Sequence, residues 1–193
     1  GCVIDSTFDD PIVIKNEPRP ENPGNPDIRT EDVIISNTVV RNSSHPAVKI
    51  GTQTAGLFRN ILVSNCIFTD VRTVFQIALM RNKVKETKER LIENVSFSNV
   101  IARNVRDVFD IQTSGVDEAA VSDLAFDNLL VSGMDRTSII QGYAHVPIRN
   151  LTIKNSRFVH SRDGLTNWLS TDYTERLTIR DVEFELRTPL DRL

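Results

Sequence analysis

The sequence predicts an all-β protein: a right-handed parallel β-helix, wound as a single-stranded solenoid of about seven coils. Three observations predict it. The first is an octet that recurs along the 193 residues: "VIISNTVV" from Val33, "ILVSNCIF" from Ile61, "VSFSNVIA" from Val95, "LAFDNLLV" from Leu124, "LTIKNSRF" from Leu151 and "LTIRDVEF" from Leu177. The second is the alternation of apolar and polar residues inside each octet, which is the period of a strand and not of a helix. The third is the fifth place of the octet. It is held by Asn37, Asn65, Asn99, Asn128, Asn155 and Asp181, with Asp5 of "CVIDSTF" matching in a first, incomplete copy.

The steps between these residues are 32, 28, 34, 29, 27 and 26. They are too short for a βαβ repeat with a full helix, no segment has a 3.6-residue pattern, and the leucine spacing of leucine-rich repeats is absent. A second short apolar stretch follows each unit: "PIVIK", "AVKIG", "VFQIAL", "VFDIQ", "SIIQG" and "GLTNWL". Strand, turn and strand at this length make one coil of a solenoid. The recurring Asn then sits on one bend of successive coils. There it tolerates the left-handed backbone, and its amide bonds the next Asn, satisfying polar groups that a tight interior bend would bury. A β-sandwich accounts for the alternation but leaves the fixed Asn offset unexplained. Residues 1–193 therefore read as one domain.

Composition narrows the function. With 39% apolar and 25% charged residues the chain suits a soluble folded protein. The net charge is −3, and no basic patch is interleaved with aromatics. Nucleic acid is not an expected partner. No run of about 18 apolar residues is present, so no membrane helix is expected. Cys2 and Cys66 lack a metal-ligand spacing and read as small core residues. His145 and His160 read as surface histidines, and Trp168 as packed in or near the core of a terminal coil.

The segments "DDPIVIKN", "RTEDVIISNTVVRNSSHPAVKIGTQTAGLFRNILVSNCIF" and "GYAHVPIRNLTI" lie in an order and spacing that resemble the polygalacturonase-type glycoside hydrolases of family 28, from about Thr7 to about Phe158. That family shares the pectin-lyase-like β-helix. The resemblance implies cleavage of a pectin-type or related polysaccharide with inversion at the anomeric carbon. Inversion needs two carboxyl groups, one to protonate the leaving oxygen and one to activate a water on the opposite face. Asp9 and Asp10 stand where the family's aspartate pair stands, and Lys15 matches its strand lysine. The same two residues also read as a polar turn before a strand. The family's GHG segment becomes "HPA", with His45 one residue ahead of the family histidine. Its RIK segment becomes Gln76-Ile77-Ala78, and Arg81 offers a guanidinium three residues further on, suited to a carboxylate.

Asp110 in "VFDIQ" has the same offset as Gln76 in "VFQIAL". The two are expected to stack on one face, near Lys49 of "AVKIG" and near Lys15 or Val13. A line of polar groups on one sheet is what a sugar groove needs, and also what any solvated sheet face looks like. "RNKVKETKERLIEN", from Arg81 to Asn94, reads as a charged loop, and "NEPRPENPGNPDIRTED", from Asn16 to Asp32, as a Pro-rich loop.

No cofactor and no metal are expected. A lyase on the same fold would want a calcium site of clustered acids, and none is spaced for one beyond Asp9 and Asp10. The rival reading is a β-helix that binds polysaccharide or serves as structure without catalysis. The family's upstream coils have no counterpart here and Gly1 opens in mid-coil, so a missing N-terminal half or a partner chain is expected to complete the groove. The substrate class implies a secreted or periplasmic protein.

Overall fold

The computed structural model describes residues 1–5, 8–16, 28–54, 56–79, 90–113, 119–161 and 167–186, and they form a parallel β-solenoid of about five turns. In chain order the strands are β1 (Cys2–Asp5), β2 (Ile12–Asn16), β3 (Arg29–Ser36), β4 (Thr38–Ser43), β5 (Val48–Thr54), β6 (Leu57–Val71) and β7 (Thr73–Leu79). They continue with β8 (Arg90–Arg103), β9 (Asp107–Gln112), β10 (Ala119–Met134), β11 (Ser138–Gln141), β12 (Ile148–His160), β13 (Leu169–Asp172) and β14 (Thr174–Leu186). One sheet runs β1-β4-β6-β8-β10-β12-β14, with β3 also paired to β6. The other runs β2-β5-β7-β9-β11-β13. Every pairing between named strands is parallel, so each coil stacks on the next in register. Seven coils were expected and about five turns are found, because the first and last octets supply only part of a coil.

The long strands bend without breaking. In β6 the buried residues are Phe58, Ile61, Val63, Cys66, Phe68 and Val71, and the outward ones alternate between single residues, Leu62 and Ile67, and pairs at Arg59-Asn60, Ser64-Asn65 and Thr69-Asp70. Two successive outward side chains need a corner. The second of each pair makes it by adopting a left-handed backbone, with φ of 58° at Asn60, 54° at Asn65 and 53° at Asp70. Asn and Asp are the non-glycine residues that enter this region most readily. The motif is therefore a five-residue unit, repeated, and the octet spans one and a half of these.

Three columns of such corners run along the solenoid. The fifth place of the octet is the middle one. Five residues upstream lie Asp32, Asn60, Asn94, Asp123 and Asn150, and five downstream lie Asn42, Asp70, Asn104 and Gly133, all with positive φ. Their amides bond coil to coil: Asn94 Nδ2 donates to Asn60 Oδ1 at 2.8 Å, Asn99 to Asn65 at 3.2 Å and Asn128 to Asn99 at 2.8 Å. These bonds are exposed, which corrects the interior ladder expected from sequence. The side chain of the left-handed residue itself points away from the core while the residue after it is buried, so the ladder runs outside. Asp5 is also corrected. Cys2 pairs with Thr38, which puts Asp5 beside Arg41 and not beside Asn37, and Asn42 Nδ2 of the downstream column donates to it at 2.7 Å.

The middle column yields a prediction. Asn99→Ala is expected to cost about 1–2 kcal/mol, since Ala resists the left-handed corner and the ladder loses both bonds. Asn99→Gly keeps the corner and is expected to cost less. Urea unfolding of the two variants checks the order, and equal stability would refute this account of the corner.

One core fills the interior. Phe58, Phe68, Phe75, Phe97, Phe109, Phe126 and Phe158 are all fully buried. Rings from the two sheets meet across it, Phe75 to Phe97 at 4.5 Å and Phe109 to Phe126 at 4.4 Å between centroids. Trp168 stacks on Phe158 at 4.5 Å. Cys66 is buried, but Cys2 is exposed, because β1 is an edge strand with no coil beyond it among the described residues. His160 is buried, not at the surface as expected, since it ends β12 beneath β14 and meets Phe184 edge-on.

Candidate functional site

The short-strand sheet carries one outward polar row. In register, Val13 lies beside Lys49, Lys49 beside Gln76, Gln76 beside Asp110, and Asp110 beside Ile139. Strand alternation turns these positions outward while Ile14, Ile50, Ile77 and Ile111 fill the core. The placement expected of Lys49, Gln76 and Asp110 is thus what the fold builds. Hydrogen bonds tie the row together. Gln76 Nε2 donates to Asp110 Oδ2 at 2.6 Å, and Gln112 Nε2 donates to Asp110 Oδ1 at 2.6 Å. Lys15 lies exposed further along β2.

Asp9 and Asp10 precede β2, and each has a partner. Asp9 Oδ1 accepts the backbone N–H of Asp10, the next residue, at 2.7 Å. Asp10 Oδ2 accepts from Lys49 Nζ at 2.8 Å, and both side chains are nearly buried, at 12% and 13% exposure. Asp10 Oδ1 is buried with no hydrogen-bond partner. His45 sits at the corner before β5, where Ser44 Oγ lies 3.1 Å from its Nδ1 and its carbonyl accepts from the Arg72 N–H at 3.3 Å. Arg81 lies outside the described residues, as do residues 81–89 of the charged loop and 17–27 of the Pro-rich loop.

The same corner continues down the solenoid. Arg106 N–H donates to the Arg72 carbonyl at 3.0 Å, and Asp135 N–H to the Arg106 carbonyl at 3.1 Å. His45, Arg72, Arg106 and Asp135 therefore stack, one per coil. Beside them Thr73 pairs with Asp107 at the starts of β7 and β9. Arg72 Nε and Asp135 Oδ1 are buried at this corner with no hydrogen-bond partner, and Thr73 Oγ1 and Asp107 Oδ1 are buried together beside them. Buried polar groups are ordinarily satisfied, so such a concentration marks a special place.

Asp107 is the functional candidate that the sequence reading missed. Burial pushes its carboxyl up from the ordinary 3.8 to about 6. The Thr73 hydroxyl close by lowers it in part, Asp110 raises it further, and Arg106 and Arg72 pull it down. The signal was present in the sequence: "VRTVFQ" and "VRDVFD" match position by position and place Arg72 and Arg106, then Thr73 and Asp107, at one offset.

Asp107 makes stability depend on pH in a defined direction. A carboxyl whose folded value is raised binds its proton more tightly folded than unfolded, so folding is favoured by acid. Its contribution is most favourable below about 3.8 and is lost as the pH rises through about 6. The loss is expected to be about 2 kcal/mol, allowing for partial exposure. Asp107→Asn should flatten this segment of the stability–pH curve, read by urea unfolding between these two values. An unchanged slope would refute it.

Elsewhere, a shallow groove of about 340 Å³ lies on the long-strand sheet between Asp32, Ile34, Asn60, Leu62, Asn94 and Ser96. It holds none of the candidate residues. Among the described residues no group of three or more His, Cys, Asp or Glu side chains is placed to hold a metal ion, and no helix is long and apolar enough to cross a membrane. Compared with known proteins, the chain matches no family model, no curated protein and no solved structure.

Proposed function

We propose that the protein is a glycoside hydrolase-like β-solenoid that engages a pectin-type or related polysaccharide along the outer face of the short-strand sheet and cleaves it with inversion. The observation that carries this reading is the polar row on that face, with Asp10, Lys49, Gln76, Asp110 and Gln112 joined in pairs and triplets by hydrogen bonds. A polymer laid along the solenoid axis meets one coil every ~4.8 Å, and three successive coils offer it Lys49, Gln76 and Asp110. Lys49 supplies a cation for an acidic sugar and the amides supply donors and acceptors for hydroxyls. The likeness of "DDPIVIKN" and the segments after it to the polygalacturonase-type enzymes supports the substrate class and, with it, a secreted or periplasmic setting.

A second reading, binding without cleavage, is favoured by one observation. Asp9 takes the backbone N–H of Asp10 and Asp10 is held in an ion pair, so neither is presented as a free acid.

The test is affinity electrophoresis on polygalacturonate and a panel of plant and microbial polysaccharides, with a reducing-end assay on the same panel. Retardation by at least one acidic polysaccharide is expected. Gln76→Ala/Gln112→Ala should weaken it at least fivefold, or about 1 kcal/mol. Undiminished retardation of that variant would move the glycan site off this face. New reducing ends support hydrolysis, and retardation without them supports the second reading.

A further inference from the structure

We propose that Asn94 is an acceptor for N-linked oligosaccharide, and that the first sugar attached to it fills the groove on the long-strand sheet. The sequence marks the residue. An Asn can accept such a sugar when Ser or Thr follows two places on and the residue between is not proline. Asn42-Ser43-Ser44, Asn94-Val95-Ser96 and Asn150-Leu151-Thr152 meet this rule, and no other Asn in the chain does. The three lie in β4, β8 and β12, all strands of the long-strand sheet. None lies in the short-strand sheet, whose outer face is the proposed polysaccharide site. The proposal takes from that reading only the secreted setting.

The fold presents Asn94 as the transfer requires. Its left-handed corner, with φ of 53°, turns the amide out of the sheet, and the residue is exposed. Val95 is buried, and Ser96 returns to the outer surface, so amide and hydroxyl share one face. Asn94 Nδ2 gives one hydrogen to Asn60 Oδ1 at 2.8 Å. An amide has two such hydrogens, so one is left for the sugar. The other two sites are less open. Asn150 is half-buried, and the Ser44 hydroxyl beyond Asn42 lies 3.1 Å from His45 Nδ1. Asn94 and Ser96 also line the groove of about 340 Å³, together with Ile34 and Leu62. In register, Ile34 lies beside Leu62 and Leu62 beside Ser96. Ile34 is 70% exposed and Leu62 36%, which leaves apolar side chains in the open next to an acceptor amide. The first sugar of an N-linked chain is an N-acetylhexosamine. Its acetamido methyl and C–H face suit those two side chains, and its hydroxyls suit Asp32 and Asn60 at the rim.

The transfer needs one co-reactant, an oligosaccharide joined to a lipid diphosphate, which the chain meets in a eukaryotic secretory compartment. The Asn94 amide nitrogen bonds to the anomeric carbon as the bond from that carbon to the diphosphate oxygen breaks. The lipid diphosphate leaves with the electron pair, and the displaced amide proton passes to a base of the transferring enzyme. One N–H stays on Nδ2, so the bond to Asn60 is kept.

The experiment secretes the full chain from a eukaryotic host behind a cleavable leader and compares wild type, Ser96→Ala and Ser96→Thr. Ser96→Ala leaves the Asn94 amide and its ladder bond in place, so it removes the acceptor signal and not the corner. Peptide mass spectrometry before and after peptide N-glycosidase reads Asn94, which that enzyme converts to Asp when it removes a sugar. Wild type and Ser96→Thr are expected to carry sugar on Asn94, and Ser96→Ala to lose it. After an endoglycosidase has trimmed the chain to its first sugar, methyl NMR is expected to show contacts from the acetamido methyl to Ile34 and Leu62. A bare Asn94 in secreted wild type overturns the proposal, and so does a sugar that persists in Ser96→Ala. A modified Asn94 without those methyl contacts overturns the assignment of the groove. Affinity electrophoresis of the same protein on polygalacturonate keeps the two readings apart: failure to bind strikes the polysaccharide face and leaves a modified Asn94 standing.

Discussion

Phe126→Ala is expected to destabilise the protein by about 3–5 kcal/mol, the range for emptying a fully buried aromatic position. Phe126 is the hub of the ring cluster. Its centroid lies 4.4 Å from Phe109, 5.7 Å from Phe97 and 6.0 Å from Phe75, so the truncation strands three rings at once. Neighbouring coils cannot close the void, because their backbones are fixed by the parallel ladders of β8, β10 and β12. Phe126→Leu keeps most of the volume and should lose about half as much. Urea unfolding gives the sizes. Hydrogen exchange gives the location, since a solenoid repeat contacts only its neighbours and the added exchange should concentrate in those three strands. A loss below about 1 kcal/mol in Phe126→Ala would mean that the coils relax into the space and that the core is not close-packed there.

The fold was legible because a parallel solenoid repeats one local rule. Val, Ile and Phe at alternate places and Asn at a fixed offset define the coil, and every copy votes for the same answer. What the octet hid was the finer unit. The five-residue rhythm of β6, from Phe58 to Val71, was split by reading only its middle corner, so Asn60 and Asp70 passed as ordinary polar residues. Whether a corner's side chain faces in or out depends on the φ of that residue, which a pattern of letters does not display. The misplacement of Asp5 has the same root. Its apolar neighbours fit two registers four residues apart, and only the pairing of Cys2 with Thr38 selects one.

The site was half legible. Lys49, Gln76 and Asp110 were found because they sit at equal offsets in successive strands, and parallel pairing turns equal offsets into adjacency. Asp107 was passed over for a physical reason. Its character comes from burial at a corner and from Thr73 and Arg72, which approach from another coil, and burial of one carboxyl among many is not written in its neighbours along the chain. His160 shows the converse. A histidine after "RFV" reads as the exposed end of a strand until another strand, β14, covers it.

Lys49→Met is expected to cost about 3 kcal/mol, for a reason that bears on what Asp10 is. The pair is 2.8 Å long with both side chains nearly buried, and Asp10 Oδ1 already lacks a partner. Removing the ammonium leaves a carboxylate in a desolvated place with neither oxygen paired among the bonds described here, and an uncompensated buried charge costs far more than an exposed pair gains. Methionine keeps the stem volume, so the loss is electrostatic and not a cavity. Asp10→Asn in the Lys49→Met background should restore part of the stability, because the neutral amide removes the stranded charge. The double-mutant cycle, read by urea unfolding, should give a coupling of about 1–3 kcal/mol. Additive losses would mean that the two groups do not depend on each other. Asp10 would then be free of Lys49, and the acid–base reading of Asp9 and Asp10 would regain the ground that the ion pair takes from it.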